Sequence, residues 1–580
     1  MATTYWDTDN VVQIGESKVE IPSENGLSYS GGQKVSLFIP PSVGMMDGKN
    51  SYVEMDVKLN LPATGAPTLL QLDEAGAGIL FKNIRIYDGT RGNLIEELNE
   101  YSNLITIRYD YDSDESKRNL RALEEGGTTF SVPNRSTKGG SKSEYTNTIN
   151  NPWFKKDAGK TSTLTNADFT TCKVCVPLHT GVFSGAIFPV AMSNGLYLEF
   201  DLQPAARVIK QLDSVLEDRR LTANPVYGQI LETGSGAMAS DWVNGSSTQE
   251  LYLDSSQNLT ATGDGAEAQV SRFPFVVGET VSFVKLADGT SGSFVGTPTI
   301  SEINASDNGF LEVLFDADIT NDTGENIVSG EWAMVSTSAT SATTYDVGYT
   351  VSNFNLVVHQ IQLDPSYMAG MMAKAREGKA IEFDIHSVTN YKNSLLASDR
   401  QTSFLIHANN SRAKSILVQP CDSSIYTSAQ LVSADDTYEI TGNDMDFVLC
   451  SNRSGLVGCC DFLSSVQYQI DGKLVPSRPI STKKCATRNS IDAFHLFELE
   501  KALDNAGIVP RSFRKYLDNW VVGRGFAINQ GAMDLRGKDL SVLLKYEETQ
   551  APTVNKIVNS FVFHVRRLVM RGSGSVEVIV

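Results

Sequence analysis

Positive charge is scarce in this chain. Its 580 residues carry 49 lysines and arginines against 68 aspartates and glutamates, a formal net charge of -19. A surface that grips nucleic-acid phosphates needs a cationic footprint, so no direct sequence-specific nucleic-acid binding is expected, and the acidic balance favours a soluble shell. The opening stretch MATTYWDTDNVVQIGESKVEIP has no basic patch leading into an apolar core, so no secretory signal is read there and synthesis in the cytosol is expected. Cysteine is rare too. Seven is an odd number in a long chain without an export signal, which points to reduced thiols and not to a disulfide framework. Cys172 and Cys175 have metal-ligand spacing, yet Cys421, Cys450, Cys485 and the adjacent Cys459 and Cys460 supply no second such pair, and a closed zinc site needs four ligands. The six histidines, at 179, 359, 386, 407, 495 and 564, stand singly without an HExxH pair, and no serine elbow or Cys-His nucleophile is read. No catalytic residue, metal ligand or cofactor is therefore assigned, and the chain is read as a non-enzyme.

Long apolar runs are missing as well, with one apparent exception. The 25 residues from Val174 to Leu198, VCVPLHTGVFSGAIFPVAMSNGLYL, contain no charged side chain and are long enough to cross a bilayer as a helix. Pro177 and Pro189 each remove a backbone donor, Gly181, Gly185 and Gly195 weaken a helix, and His179, Ser184, Ser193 and Asn194 spread polarity through the run. What remains is short pieces at 173–178, 185–191 and 195–202, read as buried strands separated by a loop, so no transmembrane segment is expected.

With 41% apolar and 20% charged residues, the chain belongs among folded proteins and is long enough for two to four domains. The pattern from Gln33 onward is β. Val35, Leu37 and Ile39 alternate with polar residues before Pro40 and Pro41, and Val53, Met55, Val57, Leu59 and Leu61 alternate without a break. A third apolar run, 79–87, ends in the turn signal Asp88-Gly89. Leu94, Ile95, Leu98, Tyr101, Leu104 and Ile105 then fall at helical spacing, with Glu96 and Glu97 placed where a helix dipole favours acids. The second half follows the same plan without residue identity. Strand-like segments at 380–388, 402–407, 446–449 and 466–470 precede a helix over 491–503 with Phe494, Phe497 and Leu503 on one face. Strands at 521–528, 539–546, 559–570 and 576–580 follow. Two similar β domains in tandem explain both halves. Residues 228–344 change texture to Gly, Ser, Thr, Asp and Asn with short strands at 280–285 and 309–315, and are read as a small inserted β domain. Residues 1–28 read as an extended arm.

Motifs that suggest chemistry do not complete. Asp110, Asp112 and Asp114 have calcium-loop spacing, but Glu115 stands where the tight-turn glycine belongs and Arg121 where the bidentate glutamate belongs, so a solvated acidic loop is expected. Gly523, Arg524 and Gly525 open no helix and read as a strand bend. His564 is expected at an edge or surface, and Arg566, Arg567 and Arg571 on a solvated or subunit-facing strand. NxS/T sequons at Asn134, Asn244, Asn258, Asn304, Asn321, Asn409 and Asn452 read as chance matches in a Ser/Thr-rich chain.

Several phrases resemble, in order, those of the double jelly-roll major capsid proteins, especially the virophage and polinton-like virus type. The first comprises Gly76 to Tyr87, then Gly92-Asn93-Leu94-Ile95-Glu96 and Glu100-Tyr101-Ser102-Asn103-Leu104. The second comprises Pro177-Leu178, Gly181, Phe188-Pro189 and Gly195-Leu196-Tyr197-Leu198-Glu199. The third is Tyr468-Gln469-Ile470-Asp471-Gly472-Lys473-Leu474-Val475-Pro476 with Pro479-Ile480. The resemblance runs from Gln33 to Val580 except for the insertion. It implies an all-β protein of two tandem eight-stranded jelly rolls with short helices in loops. The arm would span 1–28, the first roll 29–365 with the inserted tower-like domain at about 228–344, and the second roll 366–580. It further implies a homotrimer of pseudo-hexagonal outline that tiles an icosahedral shell around a DNA genome. Its partners would be its own copies, neighbouring capsomers, and penton and minor capsid proteins, in a virion assembled after synthesis in host cytoplasm or a virus factory. The rival readings are a carbohydrate-binding or carbohydrate-active β-sandwich, against which the dispersed Trp6, Trp153, Trp242, Trp332 and Trp520 count, and a cellular adhesin.

Overall fold

The computed structural model describes residues 3–5, 13–62, 69–127, 169–185, 187–212, 346–423, 455–459, 463–482, 493–511, 519–526, 531–547, 555–571 and 574–579, with short pieces of 230–336. Among the described residues the main strands of the first half are β1 (Gln13–Pro22), β2 (Lys34–Ile39), β3 (Met45–Asn60), β4 (Phe81–Asp88), β5 (Leu94–Leu98), β6 (Cys172–Pro177), β7 (Leu196–Leu202) and β8 (Gly348–Leu363), with short strands at Ser28–Ser30, Leu69–Leu72, Phe188–Pro189 and Ile209–Leu212 beside them. The main strands pair as two antiparallel sheets, β1-β8-β3-β6 and β2-β7-β4-β5. The second half supplies β9 (Ala380–Leu395), β10 (Gln401–Ile406), β11 (Ala413–Asp422), β12 (Leu463–Ile470), β13 (Lys473–Ser481), β14 (Val522–Gly525), β15 (Leu540–Tyr546) and β16 (Lys556–Met570). Its sheets are β9-β16-β11-β14 and β10-β15-β12-β13. Raising each strand number of the first half by eight reproduces the second. In both, the chain alternates between sheets except at one hairpin, β4-β5 or β12-β13. That path through two facing sheets is a jelly roll, and the chain is an all-β protein of two jelly rolls in tandem.

Side-chain alternation explains why the sheets face each other. In β3, Val53, Met55, Val57 and Leu59 are buried while Glu54, Asp56 and Lys58 stay partly exposed. Val35, Leu37 and Ile39 of β2 and Leu196, Leu198, Phe200 and Leu202 of β7 are buried likewise, so the two sheets meet through period-two apolar faces. One apolar cluster fills the first roll and continues past Phe383 and Phe563 of the second. A separate cluster around Phe404, Tyr468, Trp520 and Val542 fills the rest of the second roll. Phe188 and Phe383 meet edge to face across the boundary at 5.5 Å.

Helices occupy equivalent places. α1 (Tyr101–Asp112) and α2 (Glu115–Glu124) lie between β5 and β6, α3 (Pro365–Arg376) links the rolls, and α4 (Ala493–Asn505) lies between β13 and β14. Between β7 and β8, Ile230–Thr233, Glu250–Leu253, Leu311–Phe315 and Ile300–Ala305 pair in that order as a separate antiparallel sheet, and Val281–Lys285 pairs with Trp332–Ser336.

Four expectations need correction. The helical spacing from Leu94 to Ile105 spans two elements. Leu94–Leu98 is a strand because it closes a hairpin on β4, with Asp88 Oδ1 accepting from the Gly92 and Asn93 N–H groups at 2.9 and 3.3 Å. Glu100, at φ 53, then turns the chain into a helix that starts only at Tyr101. The stretch read as an arm contains β1, which pairs along β8, and Thr3–Tyr5, which runs parallel to Ala380–Glu382 of the second roll. The piece read as a strand over 185–191 is a two-residue strand, Phe188–Pro189, preceded by a helical turn at Gly181–Ser184 and followed by a 3-10 turn at Val190–Met192, because Pro189 removes a ladder donor. In α4 the buried face is His495, Glu498, Leu499, Ala502 and Leu503, while Phe497 is exposed, because the helix lies on β14 through its other stripe. The strand expected at 446–449 falls outside the described residues.

Leu198 lies inside the uncharged run, in a strand paired on both sides, with no solvent exposure. Leu198→Asp would bury an unpaired carboxylate, so soluble folded yield should collapse, whereas Glu199→Gln beside it should be tolerated within ~0.5 kcal/mol by chemical denaturation.

Candidate functional site

The junction between the rolls concentrates the buried polar chemistry of the chain. At its centre is α1, in which every residue except Arg108 is buried. A helix enclosed on all sides is ordinarily apolar all round. This one carries Ser102, Asn103, Thr106, Asp110 and Asp112, and each is matched by a partner. Gln203 Nε2 donates to Ser102 Oγ at 2.7 Å. Asn103 Nδ2 donates to Gln419 Oε1 at 3.2 Å and to the Leu456 carbonyl at 2.9 Å, both in the second roll. Asn519 Nδ2 donates to Thr106 Oγ1 at 3.2 Å and to Asp110 Oδ2 at 2.8 Å. Its own Oδ1 accepts from Gln419 Nε2 at 2.8 Å and from the Gly458 N–H at 2.9 Å. The Tyr111 hydroxyl donates to the Asn519 carbonyl at 3.0 Å.

Charged groups flank the helix. Glu100 accepts from Arg207 of the first roll at 3.0 Å and from Lys392 of the second at 2.9 Å. Burial pushes its carboxyl up, but the two cations outweigh burial and hold it below its ordinary value of 4.5. Glu96, fully buried, accepts from the backbone N–H groups of Gly181 at 2.9 Å and Val182 at 3.3 Å, and burial raises its pKa. Gly181 is required by close approach: a Cβ there would sit 2.5 Å from the His386 carbonyl oxygen of the second roll. Within the second roll, Asp384 receives Arg412 at 2.6 and 2.9 Å and Arg567 at 3.0 Å. Despite partial burial these cations lower its carboxyl to about 2.

The residues singled out by sequence fall into this frame in unexpected ways. Asp110 and Asp112 are buried helix residues, not a solvated loop; Asp112 pairs with Lys117 at 3.1 Å, and Asp114 caps α2 by accepting from the Lys117 N–H at 2.8 Å. His564 is 1% exposed because β16 is paired on both sides, by β9 and β11, and its Nε2 shares a hydrogen bond with Thr389 Oγ1 at 2.9 Å. The basic residues near the C-terminus are not an open patch: Arg566 donates to the Ile95 carbonyl at 3.3 Å, Arg567 binds Asp384, and Arg571 binds Glu577 at 2.9 Å. Cys172 and Cys175 lie three apart on a strand and so face opposite ways, with burial pushing the Cys172 thiol up to about 11. Gly523 admits α4, since a Cβ there would come 2.7 Å from Ala502 Cβ and Leu417 Cδ2. Trp520 is fully buried and stacks on His495, while Trp6, Trp153 and Trp242 lie outside the described residues. Among the described residues no group of three His, Cys, Asp or Glu side chains could hold a metal ion, and no helix is long and apolar enough to cross a membrane. Gln203, Arg207, Lys392, Gln419 and Asn519 were not found by sequence reasoning. Their partners stand tens to hundreds of residues away, and no local spacing signals them.

No family model and no curated protein matches this chain. Among solved structures it is similar to viral major capsid proteins. The PBCV-1 virus capsid, in a quasi-atomic model, aligns over 100% of this chain and 99% of that one at 10% identity and a TM-score of 0.48. The Faustovirus major capsid protein aligns over 97% and 92% at 9% identity and a TM-score of 0.45. The mavirus major capsid protein aligns over 99% and 93% at 9% identity and a TM-score of 0.35.

Removing the Asn103 amide takes the donor from Gln419 Oε1 and the shortest of three hydrogen bonds from the Leu456 carbonyl, so Asn103→Ala should cost ~1–3 kcal/mol of stability, and a double-mutant cycle with Asn519→Ala should show coupling above ~0.5 kcal/mol. Strict additivity would mean that the two amides do not act as one network. The depressed Glu100 carboxyl contributes stability that is full above 4.5 and lost as pH falls through its lower folded value. Glu100→Gln should therefore melt below the unmodified chain at pH 7, and the gap should narrow by pH ~3; a gap independent of pH would remove the ion-pair account.

Proposed function

We propose that this chain is a viral major capsid protein, a building block whose work is assembly and enclosure and not bond chemistry. The observation that carries the reading is the repeated pairing order, β1-β8-β3-β6 with β2-β7-β4-β5 and the same order eight strands later, fused in one chain through a buried polar junction. Jelly rolls suit this work because two packed sheets manage their edges, and loops at the sandwich ends accept long insertions. Two like rolls held in one relative pose give each copy two similar walls. Three copies about one axis would then present six, a pseudo-hexagonal outline able to tile a closed shell. The ordered phrases of sequence that resemble the capsid family point the same way.

In this reading the chain acts in the virion, the inserted segment at about 228–344 projects from the first roll as a tower, and the second roll begins near 366. Copies of the chain are its main partners, with penton and minor capsid proteins closing the shell. A net charge of -19 leaves the genome's own charge to other basic proteins, a membrane or counterions.

Native mass spectrometry of the purified chain should give a species of three 63.1 kDa copies, and electron microscopy should show hexagonal bricks or shells. A stable monomer at micromolar concentration would overturn the reading. Deleting 228–344 should leave the trimer intact; loss of folding would make that segment part of the core.

A further inference from the structure

A cavity of about 400 Å³ lies in the junction, bounded by β5, α1 and the turn at 179–184 on one side and by β9, β16 and the end of α4 on the other. Its size falls in the range of small-molecule sites, roughly 300–1,000 Å³. Leu98, Leu104, Val388 and Phe563 give it an apolar wall. Its polar groups are unevenly matched. The Glu96 carboxylate is already engaged by two backbone N–H groups, and Lys414 donates to the Gly531 carbonyl at 3.0 Å. Arg108, which also lines the cavity, has no hydrogen-bond partner on its buried Nε and no ion pair among the described residues. Burial disfavours its charge, opposed at longer range by Asp112 and Tyr101, but a guanidinium stays protonated. His564 likewise leaves its buried Nδ1 unpartnered, with burial and Arg566 holding the ring neutral at a pKa of about 3. Arg108 is the one residue of α1 that is not buried, yet its Nε is, and a buried N–H left unmatched costs free energy that an incoming acceptor would recover.

We propose that the inter-roll cavity binds a small amphipathic anion, its carboxylate or phosphate head on Arg108 and a short aliphatic tail against Leu98, Leu104, Val388 and Phe563. A guanidinium matches either head with paired N–H donors, and a tail of about eight carbons uses the apolar wall. The proposal rests on the cavity alone and stands whether or not the capsid reading does.

The test is calorimetric titration and thermal melting of the full chain with octanoate, octyl phosphate, octylamine and inorganic phosphate. Octanoate or octyl phosphate should bind and raise the melting temperature, and the stronger of the two identifies the head group. Octylamine and inorganic phosphate should bind at least ~tenfold more weakly. Arg108→Gln should weaken the anion by ~tenfold or more, with partial recovery in Arg108→Lys. Should the variants fold poorly, phenylglyoxal labelling of the unmodified chain, read by peptide mass spectrometry, should reach Arg108 and be blocked by the bound anion. Equal binding of octylamine, affinity unchanged in Arg108→Gln, or labelling unaffected by either anion would overturn the proposal.

Discussion

Directional hydrogen bonds through a buried helix hold the two rolls in one relative pose, and the architecture depends on that constraint. Apolar faces alone would let two sandwiches slide or rotate with little change in buried area, because the hydrophobic effect has no preferred direction. Asn103 and Asn519 remove that freedom. Each amide is satisfied on both its donor and acceptor side by groups from opposite rolls, and a small rotation would break several contacts in a low-dielectric interior. Glu100, bridging Arg207 and Lys392, adds an ionic tie across the same boundary. The net contribution of such groups to stability is modest, while the penalty for misplacing them is large, which makes them devices of geometry more than of strength.

Much of the scaffold could be read from the sequence. Val53, Met55, Val57 and Leu59 announce a half-buried strand by strict alternation, and the prolines and glycines of the uncharged run mark the two strands at its ends, though the middle piece read as a strand over 185–191 is only Phe188–Pro189 followed by a 3-10 turn. The repeat of one plan in both halves could be read as a pattern of elements although residue identities do not repeat, since a sheet demands periodicity and not particular side chains. Failures came where tertiary partners decide. Ile95 and Leu98 fit a helix by spacing but belong to a strand because β4 lies alongside. Asp110 and Asp112 look like solvated acids until Asn519 and Lys117 are in place. His564 looks peripheral in a strand near the C-terminus and is buried because β9 and β11 flank it. The junction itself was invisible, as Asn103 and Gln419 are 316 positions apart and nothing local to either marks the contact.

The charge balance also changes meaning once the fold is known. The arginines Arg566, Arg567 and Arg571 near the C-terminus are engaged by Asp384, Glu382, Glu577 and a backbone carbonyl. These three arginines, which might have faced a polyanion, are thus committed to intramolecular work.

Both rolls place their eighth strand at the middle of a sheet: β8 lies between β1 and β3, and β16 between β9 and β11, with the short strand Val576–Ile579 added after β16 and paired to it. A chain emerging from the ribosome therefore presents two separated strands with open edges until the eighth strand of each roll arrives to join them. In the first roll that wait includes translation of the whole insertion, since β8 begins at Gly348. At ~5–20 residues per second the delay from β7 is of order ten seconds or more, a period of exposure to wrong partners on crowded polysomes. Nascent copies of such a chain would gain from prompt chaperone cover, and lengthening the insertion would tax synthesis more than it would the finished fold.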